Sequence, residues 1–210
     1  MKDINSLNDY STIKDRLFIC LWNQKALHGY TAEIPHRELG DLTVVCYIKN
    51  GDKKAPLVTK KLLDEFGVSE DQLFEDAMKS APAILPAHSE KLATVLENIY
   101  LHFPQLCNPD EITAPIESPL TLLTTEYMHH GAAAILYPGV LEKLAGDRNL
   151  FLIPASVHEF LCMEDDGSWE PESIERMIRN INHYEVERHD VLSDHLYYYD
   201  HQNKEVRLAC

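Results

Sequence analysis

The chain lacks any apolar run approaching the roughly 18–20 residues that a membrane-spanning helix needs. Its first residues, Met1-Lys2-Asp3-Ile4-Asn5, are polar rather than patterned as a signal peptide. A cytoplasmic protein with no membrane partner is therefore expected. Cysteine is sparse: Cys20, Cys46, Cys107, Cys162 and Cys210 are widely spread, odd in number and without a CxxC pair. That spacing argues against a structural zinc or a redox couple and predicts reduced thiols. Only eight glycines are present, and neither GxxxxGK[ST] nor GxGxxG occurs, so phosphate-cradling loops are absent. GxSxG and HExxH are missing as well. No catalytic residue, metal ligand or cofactor is nominated on motif grounds.

Positive charge is also scarce. Nineteen Lys and Arg face 34 Asp and Glu, a formal charge of −15, which opposes direct binding to a nucleic-acid backbone. The imbalance is uneven: residues 1–105 carry 12 bases and 15 acids, residues 106–210 carry 7 and 19. Between Glu159 and Glu175 there are seven acids and no base.

What is present is 45% hydrophobic sequence, enough to close one core, and a single domain over 1–210 is expected with a subdomain seam near 103–119. That stretch holds Pro104, Pro109, Pro115 and Pro119 and no periodicity. The fold class is α+β, with mixed or antiparallel sheet elements, about five helices and a C-terminal β-hairpin. Leu17–Trp22 and Leu42–Ile48 read as strands, the second reversing at Asn50-Gly51 and returning through Leu57-Val58. Thr59 caps a helix that stops at Gly67. Ser69-Glu70-Asp71-Gln72 opens another, facing Leu73, Phe74, Ala77 and Met78 inward and closed by Pro82. A third is expected from Ser89, with Leu92, Val95, Leu96 and Ile99 on one stripe.

Leu120–Thr124 and Ala132–Leu136 are short and apolar enough for buried strands, although the alanine run also suits a helix. A short helix follows Pro138-Gly139, and Leu150–Ile153 and Val157–Met163 read as adjacent strands interrupted by Pro154. Pro171 suits a first helical turn, with Ile174, Met177, Ile178 and Ile181 inward and Glu175 paired to Arg179. Tyr197-Tyr198-Tyr199 against Glu205–Leu208 forms the hairpin, with one ring inward and two on the other face.

Several segments together carry a resemblance: Ile34-Pro35-His36-Arg37-Glu38-Leu39-Gly40-Asp41-Leu42, Gly67-Val68-Ser69-Glu70-Asp71-Gln72-Leu73, Gly131–Leu141, Ile153-Pro154-Ala155-Ser156-Val157-His158-Glu159 and Val191-Leu192-Ser193-Asp194. In these the chain resembles an uncharacterised family from Firmicutes, catalogued as domain of unknown function 5688 and met near mobile genetic elements. Typical members are expected to be longer at the N-terminus and to favour serine where Ala155 stands. The resemblance implies a neighbourhood and no mechanism.

By elimination, the leading functional expectation is a non-enzymatic protein-interaction or regulatory domain. Its acidic surface is expected at Glu164, Asp165, Asp166, Trp169 and Glu170, with His158 and Glu159 nearby. Trp169 is a residue type that interfaces favour. One alternative is an acidic decoy that occupies the channel of a nucleic-acid-binding protein. Another is a metal-dependent or acid–base enzyme in which His158, Glu159, Asp165 and Asp166 converge at one sheet end. His129-His130, adjacent and followed by Gly131, reads as a structural turn, and His36 with Asp41 carries no stronger signal.

Overall fold

A computed structural model describes residues 9–27, 29–51, 54–103 and 117–210. Within them the chain is α+β, with two antiparallel sheets. The first has three strands, β1 (Leu17–Asn23), β2 (His36–Leu39) and β3 (Leu42–Ile48), in the order β1-β3-β2. The second has six: β4 (Ala87–Lys91), β5 (Thr121–Thr125), β6 (Leu150–Ser156), β7 (Glu159–Glu164), β8 (Tyr197–Asp200) and β9 (Glu205–Leu208). Their order is β4-β5-β7-β6-β8-β9. The helices are α1 (Tyr10–Ile13), α2 (Lys60–Phe66), α3 (Glu70–Ile84), α4 (Leu92–His102), α5 (Val140–Ala145) and α6 (Pro171–Tyr184). No helix among the described residues is long and apolar enough to cross a membrane.

One core joins the sheets. Leu17, Ile19 and Leu21 of β1, Leu73 and Ala77 of α3, Leu123 of β5 and Phe160 of β7 are buried in one cluster. Between the sheets runs a 3-10 helix, Gly131–Leu136, in which Gly131 to Ile135 are all buried. Its three alanines keep that segment thin enough to lie against β1, β5 and β7 at once. The six-stranded sheet is buried on both faces. On β6, Leu150 and Leu152 face the main core, while Phe151 meets Met163, Ile174, Ile178 and Leu196 in a second cluster that holds α6. Alternate side chains of a strand point to opposite faces, which is why one strand serves both clusters.

The punctuation residues behave as their chemistry dictates. Thr59 Oγ1 accepts from Leu62 N at 3.2 Å, and Gly67 closes α2 at φ +66°. Ser69 Oγ accepts from Gln72 N at 3.2 Å, but the Gln72 amide turns to Asp76 instead of completing the capping box. Past Asn50-Gly51, Val58 N donates to Cys46 O at 2.9 Å, the short return strand expected there. Cys20, Cys46 and Cys162 are buried free thiols.

Several expectations need correction. Pro82 does not close α3, which runs on to Ile84. In the last turn, proline gives up only its own donor, and Leu85 N still reaches Ala81 O at 2.8 Å. Ser89 lies in β4, paired to Leu123, and the helix begins three residues later. Residues 132–136 are 3-10 helix, not strand. Pro154 lies inside β6, at a register shift towards Ser156, where the missing donor is tolerated. Of the tyrosines, Tyr197 and Tyr199 point inward and Tyr198 is the half-buried one.

The α6 stripe is rotated from its expected phase. Ile174 and Ile178 are buried, but Met177 and Ile181 are 48% and 46% exposed. Glu175 and Asn182 take their place. Glu175 Oε1 accepts from Leu196 N at 3.1 Å and its Oε2 from Arg179 at 3.1 Å, while Asn182 Nδ2 donates to Ser193 O at 2.8 Å. Leaving those backbone groups unpaired in the interior would cost about 1–3 kcal/mol each, enough to outweigh the burial of one more apolar side chain. The remainder of the expected seam, residues 104–116, lies outside the described residues, as does Cys107.

Candidate functional site

The turn that leaves β5 holds two of the three non-glycine residues at positive φ among the described residues. Met128 and His130 both sit at φ +51°, in the left-handed region that costs an ordinary residue roughly 1–2 kcal/mol. Such conformations persist where surrounding structure over-determines them, and they gather at functional sites. Here the fastenings are visible. Thr125 Oγ1 donates to His129 O at 3.2 Å, Thr124 Oγ1 donates to His158 O at 2.8 Å, and His130 N donates to His158 Nδ1 at 3.1 Å. Gly131 is required for space. A Cβ there would lie 2.5 Å from the His158 carbonyl oxygen and 2.6 Å from Thr125 N.

This turn gathers three imidazoles. The His129 ring stacks on His158 at 5.2 Å and meets His130 edge-on at 4.1 Å; His130 and His158 are 5.8 Å apart. Because His158 Nδ1 accepts from a backbone N–H, the neutral ring carries its proton on Nε2, which lies 3.5 Å from Asp190 Oδ1. Asp190 is also approached by His189 Nε2, at 3.6 Å. The His130 ring continues towards the first sheet, tilted against Trp22 at 5.6 Å and near-parallel to Tyr47 at 6.4 Å. Burial, reinforced by repulsion from His129 and His158, pushes His130 down to about 4, and Asp190 only partly opposes this. Burial and the His158 charge lower His129 as well.

Beside this cluster opens a cleft of about 830 Å³, within the size range of small-molecule sites. One wall is the outer face of the three-stranded sheet: Phe18, Cys20 and Trp22 alternate along β1, and Tyr47 stands opposite Phe18 on β3, their rings stacked at 5.7 Å. Ile84 and Leu85, at the end of α3, form the base. Tyr127 and the two histidines face the sheet, and Lys49 and Lys54 stand on the rim. Among the described residues no carboxylate lines the cleft, despite the charge of −15. Neither lysine forms an ion pair among the described residues. Burial raises Cys20 and Tyr47 away from their thiolate and phenolate forms. Among the described residues the wall is thus aromatic, and its permanent charge is the two ammonium groups.

Of the residues singled out in the sequence, only His158 reaches this place. Glu159 follows it on β7 but faces away, accepting from Ser156 Oγ at 2.9 Å. Asp165 and Asp166 lie beyond the other end of β7, about 20 Å along a six-residue strand, so the expected convergence of His158 with those carboxylates does not occur. Among the described residues no group of three or more His, Cys, Asp and Glu is disposed to hold a metal ion.

The acidic segment is a built turn. Asp165 accepts from Gly167 N at 3.2 Å and from the Tyr198 hydroxyl at 2.8 Å; Asp166 accepts from Ser168 N at 2.9 Å and Ser168 Oγ at 2.5 Å. Those Ser168 bonds hold the Asp166 carboxyl below its usual range. Glu164 pairs with Arg148, Glu170 precedes the first turn of α6, and Trp169 is 45% exposed.

Sequence reasoning read His129-His130 as a structural turn and passed over Trp22, Tyr47, Lys49 and Asp190. Period-two spacing of Phe18, Cys20 and Trp22 was the available signal for one wall. Nothing in the sequence pairs residue 47 with residue 130. His36 and Asp41 are likewise separate: His36 Nδ1 contacts Ile34 O at 3.1 Å, whereas Asp41 accepts from Ser193 Oγ and the Tyr197 hydroxyl, at 2.8 and 2.5 Å.

Two antiparallel sheets, with an aromatic-lined cleft beside the strained histidine turn, define an α+β protein. The chain belongs to the family described as Family of unknown function (DUF5688), which it matches over residues 1–201. No curated protein and no solved structure matches it.

Proposed function

We propose that this protein is a non-enzymatic binding module whose ligand site is the cleft between the β1/β3 sheet face and the His129–His130 turn. The observation that carries the reading is that the titratable side chains with shifted ionisation in the wall, Cys20, Tyr47, His129 and His130, are all displaced towards their uncharged forms. Nucleophilic or acid–base chemistry asks for the reverse, a thiolate or an imidazole poised near neutral pH. Both His158 ring nitrogens are already committed, one to the His130 N–H and the other towards Asp190, which suits a post that holds the turn.

The test uses Trp22, one of two tryptophans, as the reporter. In a Trp169→Phe background, a library of small planar compounds is titrated against its fluorescence. Saturable quenching that disappears when Ala55, on the cleft lining, becomes Phe supports the reading; quenching unaffected by that block, or none at all, overturns it.

A second reading keeps the non-enzymatic class and places a protein partner on Glu164, Asp165, Asp166, Trp169 and Glu170. It is favoured by the exposed Trp169 at the edge of a smaller cavity of about 250 Å³. Trp169→Ala would then abolish partner capture without loss of stability.

A further inference from the structure

Resting on the cleft reading above, we infer that the ligand is a small planar aromatic molecule bearing an anionic group, its ring held against the Phe18, Tyr47 and His130 faces and its charge placed between Lys49 and Lys54. Two independent features point to this chemistry. The first is ring orientation. Phe18 lies 21° from Tyr47, and Tyr47 20° from His130, so the Tyr47 ring on β3 is nearly parallel both to a ring of β1 and to a ring of the histidine turn that faces the sheet. An aliphatic ligand gains nothing from such alignment, whereas a flat ring can lie offset against it or meet its edges.

The second is charge. In a chain with 34 acids, the described residues that line the cleft include two lysines and no carboxylate. Both ammonium groups are without an ion-pair partner among the described residues, although acids exceed bases in the chain as a whole. Lys49 is held at its place on the rim from behind: its N donates to Arg16 O at 2.8 Å, and its own carbonyl accepts from the Arg16 guanidinium at 2.8 and 2.6 Å. The ammonium is thus mounted on a fixed backbone at the mouth of a neutral, low-dielectric wall, where an incoming anion is attracted more strongly than at an open surface. A cationic or zwitterionic ring would meet repulsion at the rim, and the surrounding negative field would exclude a polyanionic strand.

The experiment compares matched probes on the Trp169→Phe protein. 8-Anilinonaphthalene-1-sulfonate supplies rings with an anion, N-phenyl-1-naphthylamine the same rings without it, and inorganic phosphate an anion without rings. The expected result is Trp22 quenching by the sulfonate at the lowest concentration, weakened by salt and by about tenfold in Lys49→Gln/Lys54→Gln, with the neutral amine unaffected by those changes. If the amine binds as tightly as the sulfonate and the lysine changes alter neither, the anionic requirement is overturned while the cleft remains a binding site. If phosphate displaces the sulfonate at equal concentration, the aromatic requirement is overturned. If neither ring compound perturbs Trp22, the cleft reading itself falls.

Discussion

The histidine turn and the acidic turn both concentrate ionisable residues at the end of a β-strand, and they are built in opposite ways. In the acidic turn Asp165 and Asp166 accept from backbone N–H groups two residues on, the local bonding that makes aspartate a turn former. Its charge is used up in making the turn and in leading into α6. In the histidine turn, Met128 and His130 hold left-handed backbone, Gly131 is packed without room for a Cβ, and the imidazole next to the sheet is kept neutral. Several side-chain bonds are needed to keep it there. The contrast teaches that the two turns are held differently, the acidic one by bonds within a few residues and the histidine one by bonds to Thr124, Thr125 and His158 that keep strained backbone in place.

The largest effect should come from α6, the helix that the acidic turn launches. If that turn matters mainly by placing Ile174 and Ile178 in the second cluster, Ile178→Ala will cost about 2–5 kcal/mol and Ile181→Ala under about 1 kcal/mol. Urea unfolding of the pair decides it, and equal losses would restore the face of three isoleucines and one methionine expected from periodicity. Gly131→Ala should follow, at about 2–3 kcal/mol, because the new Cβ meets the backbone of His158 and Thr125 as well as the Thr124 hydroxyl, which is itself bonded to His158 O. A thermally unchanged variant would remove the claim that the histidine turn is tightly over-determined.

The third prediction separates the two turns by pH. His130 falls from 6.5 to about 4 on folding, so its contribution is complete above the unfolded value. That contribution is lost as pH drops from about 6.5 towards about 4, where unfolding takes up about one extra proton. His130→Asn, which still tolerates left-handed backbone, should flatten the stability profile in that window. An unchanged slope would mean that another group controls it. The smallest effect belongs to the acidic turn. Asp165→Asn with Asp166→Asn should shift stability by less than about 1 kcal/mol, since an amide oxygen still accepts from Gly167 N and from Ser168, only the Tyr198 hydroxyl loses its acceptor, and exposed charge contributes little. A loss of several times that in thermal unfolding would make these carboxylates structural anchors and blur the contrast.

Most of the element order was legible in the sequence because caps and turns act locally. Thr59, Gly67, Ser69, Asn50-Gly51 and Pro171 each mark a boundary within a few residues of themselves, and each boundary lies where they put it. The misreadings arose where distant groups intervened. Ser89 is drawn into β4 by pairing with Leu123, 34 positions away, and the alanine run coils because three strands press on it. α6 turns its Glu175 inward because Leu196 N needs an acceptor. The site was less legible than the fold: a cleft joining residues 18, 47, 84 and 130 has no period and no motif. The sequence by itself determined most of the helix and strand segments and that most of the net charge lies in the second half, because these follow from side-chain periodicity, local caps and composition. Only the tertiary structure decided which imidazoles meet, which carboxylates are consumed in turns, and where an aromatic wall faces two lysines that form no ion pair among the described residues, because those depend on backbone bonds and packing between residues far apart in the chain.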